Sequence, residues 1–235
     1  MFNGKKKAVT FSFDDGVTQD KRLIEIFDRY GLKCTFNLNS GLLGLKNTLL
    51  RESATVNHNK VLPEEVREVY KNHEVAVHTI THPNLTQIAD DVEVIRQVED
   101  DRKALSSLVG YEVVGMAYPC GGVNNDDRVA KLIAENTGVK YARTITSSFS
   151  FDLQQNLYRF NPTVYLHGDG IARATELAKE FLAMETDEPK IFYIWSHAYE
   201  FDIRNTWGEV EEFCRLISGH DDVFYGTNTE VLLSK

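Results

Sequence analysis

Two adjacent carboxylates, Asp14 and Asp15, follow an apolar stretch and precede a glycine in TFSFDDG. Neighbouring like charges repel, and consecutive strand residues point to opposite faces. The pair therefore suits a strand end, where a turn lets both acids reach one pocket, and Gly16 is the residue type that permits such a turn. Further on, HTITH places His78 and His82 four residues apart. That spacing puts two imidazoles on one face of a helical turn and suits a divalent metal. A third ligand is then needed, with a position left for water, and one of the two aspartates can supply it. The other aspartate stays off the ion and accepts a proton from the water. An Asp-Gly turn beside two unrelated histidines is the plainer alternative.

His197 ends the apolar run IFYIWSH. Its ordinary pKa near 6.5 suits a proton donor to a leaving group, whereas a core or capping histidine is the bland reading. In AYPCGG the backbone N–H of Cys120 is a candidate donor to a developing oxyanion. Cys120 as a nucleophile lacks an obvious base beside it. His58, His73, His167 and His220 lie outside these strand ends and read as surface or rim residues, of which His167 in YLHGDG is the one to test.

Strands and helices must bring these groups together. Apolar runs alternate with amphipathic segments, the pattern of repeated βα units. KAVTFSF, KCTFNL, EVAVHT, EVVGMAY, VKYART, PKIFYIWSH and VFYGT read as strands. TQDKRLIEIFDRYG reads as a helix with Thr18 as N-cap, Leu23, Ile26, Phe27 and Tyr30 inward and Gly31 closing it. Pro63 opens a further helix, and residues 90–109 form the longest one. Residues 40–62 and 144–174 show weak periodicity and read as long rim loops.

The 235 residues are 42% hydrophobic and 26% charged, enough for a sizeable core in one α/β domain spanning 1–235. A net charge of −9 argues against a nucleic-acid partner. Three scattered cysteines, no apolar run of membrane length and no visible signal peptide predict a reduced, cytoplasmic protein with no membrane partner.

SFDDG, HTITH, a Pro-Cys-Gly turn and WSH, in this order, resemble the polysaccharide deacetylases, the NodB-homology or carbohydrate esterase family four. The resemblance runs from about Lys6 to near the C-terminus. It implies a distorted (β/α) barrel of about seven parallel strands and one divalent metal, zinc first, with cobalt, nickel or manganese as alternatives. It makes Asp14 the general base, Asp15, His78 and His82 the metal ligands, and His197 the general acid, with Thr79 steadying the histidine loop. Cys120, Tyr118 and Trp195 fall on the oxyanion and substrate side.

Two departures stand out. The third motif normally carries an arginine that holds the catalytic aspartate, and Ala117 occupies that place; Trp195 stands where a leucine usually lines the acetyl pocket. The fourth motif, with its aspartate partner for the acid histidine, is replaced by YARTITSSFSF. Arg143 there is the candidate to orient Asp14, with a surface ion pair as its alternative. Phe149, Phe151, Tyr158 and Tyr165 are candidates to stack on sugar rings, or core residues.

The expected reaction is removal of an acetyl group from an N- or O-acetylated mono- or oligosaccharide. Hydrolysis of a non-sugar or cyclic amide on the same fold is the alternative, and a metal-retaining module without turnover is a third reading. A homo-oligomer stays open.

Overall fold

A computed structural model describes residues 1–233. In chain order the elements are β1 (Lys7–Asp14), α1 (Asp20–Arg29), β2 (Cys34–Leu38), β3 (Thr48–Arg51), β4 (Ala54–Asn57), α2 (Val66–Val69) and β5 (Glu74–Val77). Then come α3 (Asp91–Val109), β6 (Gly115–Ala117), α4 (Asp127–Asn136), β7 (Tyr141–Arg143), β8 (Val164–Tyr165) and α5 (Asp169–Ala183). The last elements are β9 (Lys190–Ser196), α6 (Glu200–Ile203), α7 (Trp207–Ile217), β10 (Val223–Tyr225) and α8 (Asn228–Leu232).

The parallel sheet runs β7-β6-β5-β2-β1-β9-β8, and β10 pairs with the start of β1. Its two edges are joined by one stretch of chain. Phe160 exchanges backbone hydrogen bonds with Ala142 and Thr144 on the β7 side, while Val164 and Tyr165 pair with β9. The result is a distorted seven-strand barrel wrapped by helices. Every residue of β1 is buried, as expected for a parallel strand covered on both faces. Phe11, Phe13, Phe27 and Phe36 pack ring against ring beside it, so truncating one of them to alanine costs about 3–5 kcal/mol. Among the described residues no helix is long and apolar enough to cross a membrane.

Three expectations need correction. Helix α1 buries Leu23, Ile26 and Phe27 but starts at Asp20, and no side chain caps it; the Thr18 hydroxyl turns to Gln19 instead. The stretch 40–62 is not simply a loop, because it contains the antiparallel hairpin β3–β4. Residues 144–174 contain β8 and the first turns of α5. By contrast, α3 begins and ends where the sequence indicates, with the Asp90 carboxylate accepting from the Val92 N–H and Gly110 closing it at φ 84°.

Candidate active site

Parallel barrels present their chemistry at the C-terminal ends of the strands, and the named residues gather there. Asp14 is the last residue of β1 and pairs in register with Asn37 of β2. Its carboxylate accepts from Asn37 Nδ2 at 2.8 Å and from Arg143 Nη2 on both oxygens. Arg143 lies at the end of β7 and is fully buried, not in a surface ion pair. Its Nε donates to Ser12 Oγ and its Nη1 to the Thr144 carbonyl. Burial alone would raise the Asp14 pKa; the Arg143 charge, with the imidazoles of His78 and His197, outweighs it and holds the group below its ordinary value.

The chain then turns sharply, with positive φ at Asp15 (84°) and Gly16 (61°). Gly16 takes its φ of 61° without the strain a side chain would bring, and a Cβ there would push on the end of the Leu38 side chain 2.5 Å away. The turn swings Asp15 into the pocket mouth. Its Oδ2 meets His58 Nε2 at 3.0 Å, and Lys60 donates to its carbonyl at 2.7 Å. Its Oδ1 faces His82 Nε2 at 3.6 Å and His78 Nε2 at 4.0 Å. Burial opposes ionisation of Asp15, but the His58 hydrogen bond and the Lys60 charge prevail and place its pKa well below the usual range.

His78 and His82 do meet, but not on a helical turn. They sit on an irregular loop after β5, with left-handed backbone at Thr79 (φ 68°) and His82 (φ 62°). Thr79 Oγ1 accepts from the His82 N–H at 3.1 Å, and Asp101 Oδ2 accepts from the His78 N–H at 3.2 Å. The His78 Nδ1–H donates to the Ala117 carbonyl at 2.8 Å, which leaves Nε2 as a lone-pair donor. Burial lowers both imidazole pKa values, that of His78 to about 4, so both rings are neutral near pH 7.

These properties test whether the residues suit a cation. The ligand atoms of Asp15, His78 and His82 lie within 4.8 Å of one another. Two neutral imidazoles offer Nε2, and Asp15 turns Oδ1 towards them, with His58 on its other oxygen and Lys60 Nζ 3.4 Å from Oδ1. The set fits a divalent metal with further positions open.

Across the mouth, His197 follows β9 with Nε2 4.0 Å from Asp14 Oδ2 and Nδ1 3.3 Å from Glu200 Oε2. Burial pushes its pKa down, and the charge of Glu200 more than reverses that, raising it to about 9. Trp195 stacks on Tyr165 at 4.3 Å between centroids and lies under the Arg143 guanidinium at 4.5 Å. Its buried Nε1 has no hydrogen-bond partner. Cys120 holds φ 69°, and burial and then Asp15 raise its thiol pKa, which disfavours a thiolate nucleophile. Tyr118 packs into the wall while its hydroxyl donates to the Tyr158 carbonyl.

Asp14, Asp15, His78, His82, Tyr118, Cys120, Trp195 and His197 all line one cleft of about 580 Å³, in the range of small-molecule sites. Leu45, Leu49, Leu50 and Arg51 of the β3–β4 segment form a wall of it. None of the four aromatics that were candidates for stacking on sugars or for the core lines this cleft. Phe151 is core, Phe149 is exposed with Arg173 above it, and Tyr165 lies behind Trp195.

Several site residues escaped sequence reasoning. His58, read as a rim residue, is buried against Asp15. His73 is buried too, accepting from the Cys34 N–H on Nδ1. Lys60, Asn37 and Glu200 were not singled out; Glu200 alone left a signal, lying three residues after His197 and joined to it by a backbone turn.

A sequence model of the polysaccharide deacetylase family matches residues 3–142. It ends one residue before Arg143, so Arg143, Trp195, His197 and Glu200 lie beyond the match. A peptidoglycan-N-acetylglucosamine deacetylase, PgdA, of Listeria monocytogenes is 27% identical over 135 residues, 57% of this chain and 24% of the relative. The match thus takes in about a quarter of that protein's length. Two solved structures share the fold. The allantoinase PuuE superposes with a TM-score of 0.71 at 12% identity, covering 97% of this chain and 90% of its own. A family 4 carbohydrate esterase from Streptomyces lividans gives 0.57 at 13% identity, covering 95% and 93%. With more than half of its length inside the family match, and with the barrel to go with it, this chain belongs to the polysaccharide deacetylase family.

Proposed function

We propose that this chain is a metal-dependent hydrolase that removes acetyl groups from an N- or O-acetylated saccharide. The observation that carries the reading is the Asp15, His78 and His82 set sharing one cleft with an arginine-held Asp14 and with His197, whose Nε2 lies 4.0 Å from Asp14. A divalent cation bound there, zinc first, with cobalt, nickel or manganese as alternatives, would polarise the scissile carbonyl and acidify a water.

The remaining work falls to side chains of the protein. Asp14, kept ionised by Arg143, accepts a proton from the attacking water. The backbone N–H of Cys120 is the candidate donor to the developing oxyanion. His197 gives its Nε2 proton to the departing nitrogen or oxygen. The indole N–H of Trp195, buried and without a hydrogen-bond partner among the described residues, is a donor that a substrate seated against the ring would meet. Tyr118 and the apolar rim exclude water.

A second reading, hydrolysis of a cyclic amide, is favoured by Trp195 in the place of the acetyl-pocket leucine, and an allantoinase shares the fold. The test is a release assay on N-acetylglucosamine oligomers, peptidoglycan fragments, acetylated xylo-oligosaccharides and allantoin, with each metal or with chelator. Metal-dependent acetate release that falls about 10²–10⁴-fold in Asp14→Asn supports the first reading. Turnover of allantoin alone supports the second. One equivalent of metal without turnover of anything would overturn both and leave a binding module.

A further inference from the structure

Behind His197, on the side away from the cleft, lies a carboxylate that the reaction as described leaves unused. Glu200, in the first turn of α6, is 2% exposed. Tyr165 donates to its carboxylate at 2.5 Å, and Ser196 Oγ is 3.4 Å from Oε2. Two imidazoles face the same oxygen, His197 Nδ1 at 3.3 Å and His167 Nδ1 at 3.9 Å. Both nitrogens are buried, and among the described residues neither makes a hydrogen bond of good geometry, so the 3.3 Å approach of His197 to Glu200 is an ion-pair contact. The other nitrogen of His167 is committed to Glu52 at 2.7 Å, whereas that of His197 looks into the cleft at Asp14. The charged and titratable groups acting on the His197 ring are Glu200 on α6, Asp15 after β1, Asp14 at the end of β1 and, across the cleft, His82, and the aromatic rings of Tyr165, Trp195 and Tyr199 pack against it. Buried carboxylates persist when they are paired, and His197 is the nearer imidazole.

We propose that Glu200 is the positioning residue of His197: it takes the Nδ1–H, aims Nε2 into the cleft and, with Tyr165, keeps the ring charged until the leaving group departs. The inference rests on the reading of His197 as the acid. As the carbon–nitrogen bond breaks, its electron pair goes to nitrogen, which takes the Nε2 proton. The proton that Asp14 received from water then restores the imidazolium across the 4.0 Å gap. The partner carboxylate that the resemblance assigns to a separate motif is supplied here three residues after the acid.

Leaving-group dependence separates this role from a structural one. Wild type and Glu200→Gln are compared on the best N-acetylated sugar and on 4-nitrophenyl acetate, whose leaving group needs no proton. The expected result is an about 100-fold fall in kcat on the amide at unchanged KM, against less than about 3-fold on the ester. Glu200→Asp restores part of the loss, and His167→Gln stays within about 3-fold of wild type on both substrates. Equal losses on amide and ester, no loss at all, or a His167→Gln loss matching that of Glu200→Gln would overturn the proposal. Should Glu200→Gln fail to fold, Glu200→Asp carries the comparison, with a smaller loss confined to the amide expected.

A ¹⁵N NMR measurement of the His197 ring needs no activity. Both nitrogens are protonated at about pH 7.5 in wild type and one is bare in Glu200→Gln. That signature in a chain that hydrolyses nothing would sink the proposed function and leave the pairing standing; its absence would sink the pairing alone.

Discussion

Two buried carboxylate centres occupy opposite ends of the barrel, and they are built differently. At the floor, Glu74 opens β5 and accepts from Thr35 Oγ1 at 2.7 Å, Tyr141 Oη at 2.9 Å, the Thr229 N–H at 3.0 Å and Thr229 Oγ1. These donors are neutral and satisfy both oxygens, and the residues that supply them have ordinary backbone angles. At the mouth, Asp14 has a cation on it and two imidazoles at about 4 Å that it does not bond. Around it, Asp15, Thr79, His82 and Cys120 all hold left-handed backbone without being glycine, a conformation that costs of order 1–3 kcal/mol each. The floor is complete in itself. The mouth carries strain and spare bonding capacity, which is what separates a polar site that takes a ligand from one that fixes a fold.

Substitutions should split along that line. The largest effect is expected from Arg143→Met, which leaves Asp14 buried and unpaired: about 3–5 kcal/mol of stability by urea unfolding, with turnover down at least about 100-fold. Glu74→Gln removes an acceptor at the floor and should cost about 1–3 kcal/mol in the same unfolding assay while kcat/KM stays near wild type. A Glu74→Gln enzyme that stayed stable but lost turnover would erase the contrast.

The pH dependence sharpens it from the mouth side. The His197 pKa is raised from 6.5 to about 9, so its pairing with Glu200 stabilises the fold fully below pH 6.5 and is lost as pH rises through about 9. Amide turnover, which needs the protonated ring, should show an alkaline limb near the same pH, shifted downward in Glu200→Gln. Turnover flat through pH 10 would remove His197 from the acid role. The smallest effect belongs to Cys120→Ser, which keeps the backbone N–H and should leave kcat within about 3-fold; abolished turnover would return the thiol to the chemistry.

Much of this was legible in the residues. Apolar runs marked the strands, and the mouth residues followed them because a parallel strand must end where its polar neighbour begins. The histidine pair was read as close in space for a reason that does not hold, since four-residue spacing implies proximity only on a helix. Pro83, directly after His82, already biases that position away from helix. The β3–β4 hairpin was hidden by its turn: Glu52 and Ser53 take φ 49° and 66°, positions where Asn-Gly would have announced it. Helix α5 carries apolar residues at 171, 174, 177, 178 and 181, but the glycines at 168 and 170 masked its start. Asn37 and Lys60 show the limit most clearly, because their bonds to Asp14 and Asp15 depend on which strands and loops become neighbours; Arg143 was legible only as the candidate to fill the place of a missing arginine.

The bond between Arg143 and Asp14 joins residues 129 apart in sequence, and β1 takes its neighbours from residues 34–38, 190–196 and 223–225. Contacts of such long range carry a loop-closure cost that slows folding. Asp14, Arg143 and His197 come from β1, β7 and the end of β9, so the mouth is assembled only when these strands have joined one sheet. On the proposed roles of Asp14, Arg143 and His197, turnover would report closure of the barrel and not merely formation of its helices and core.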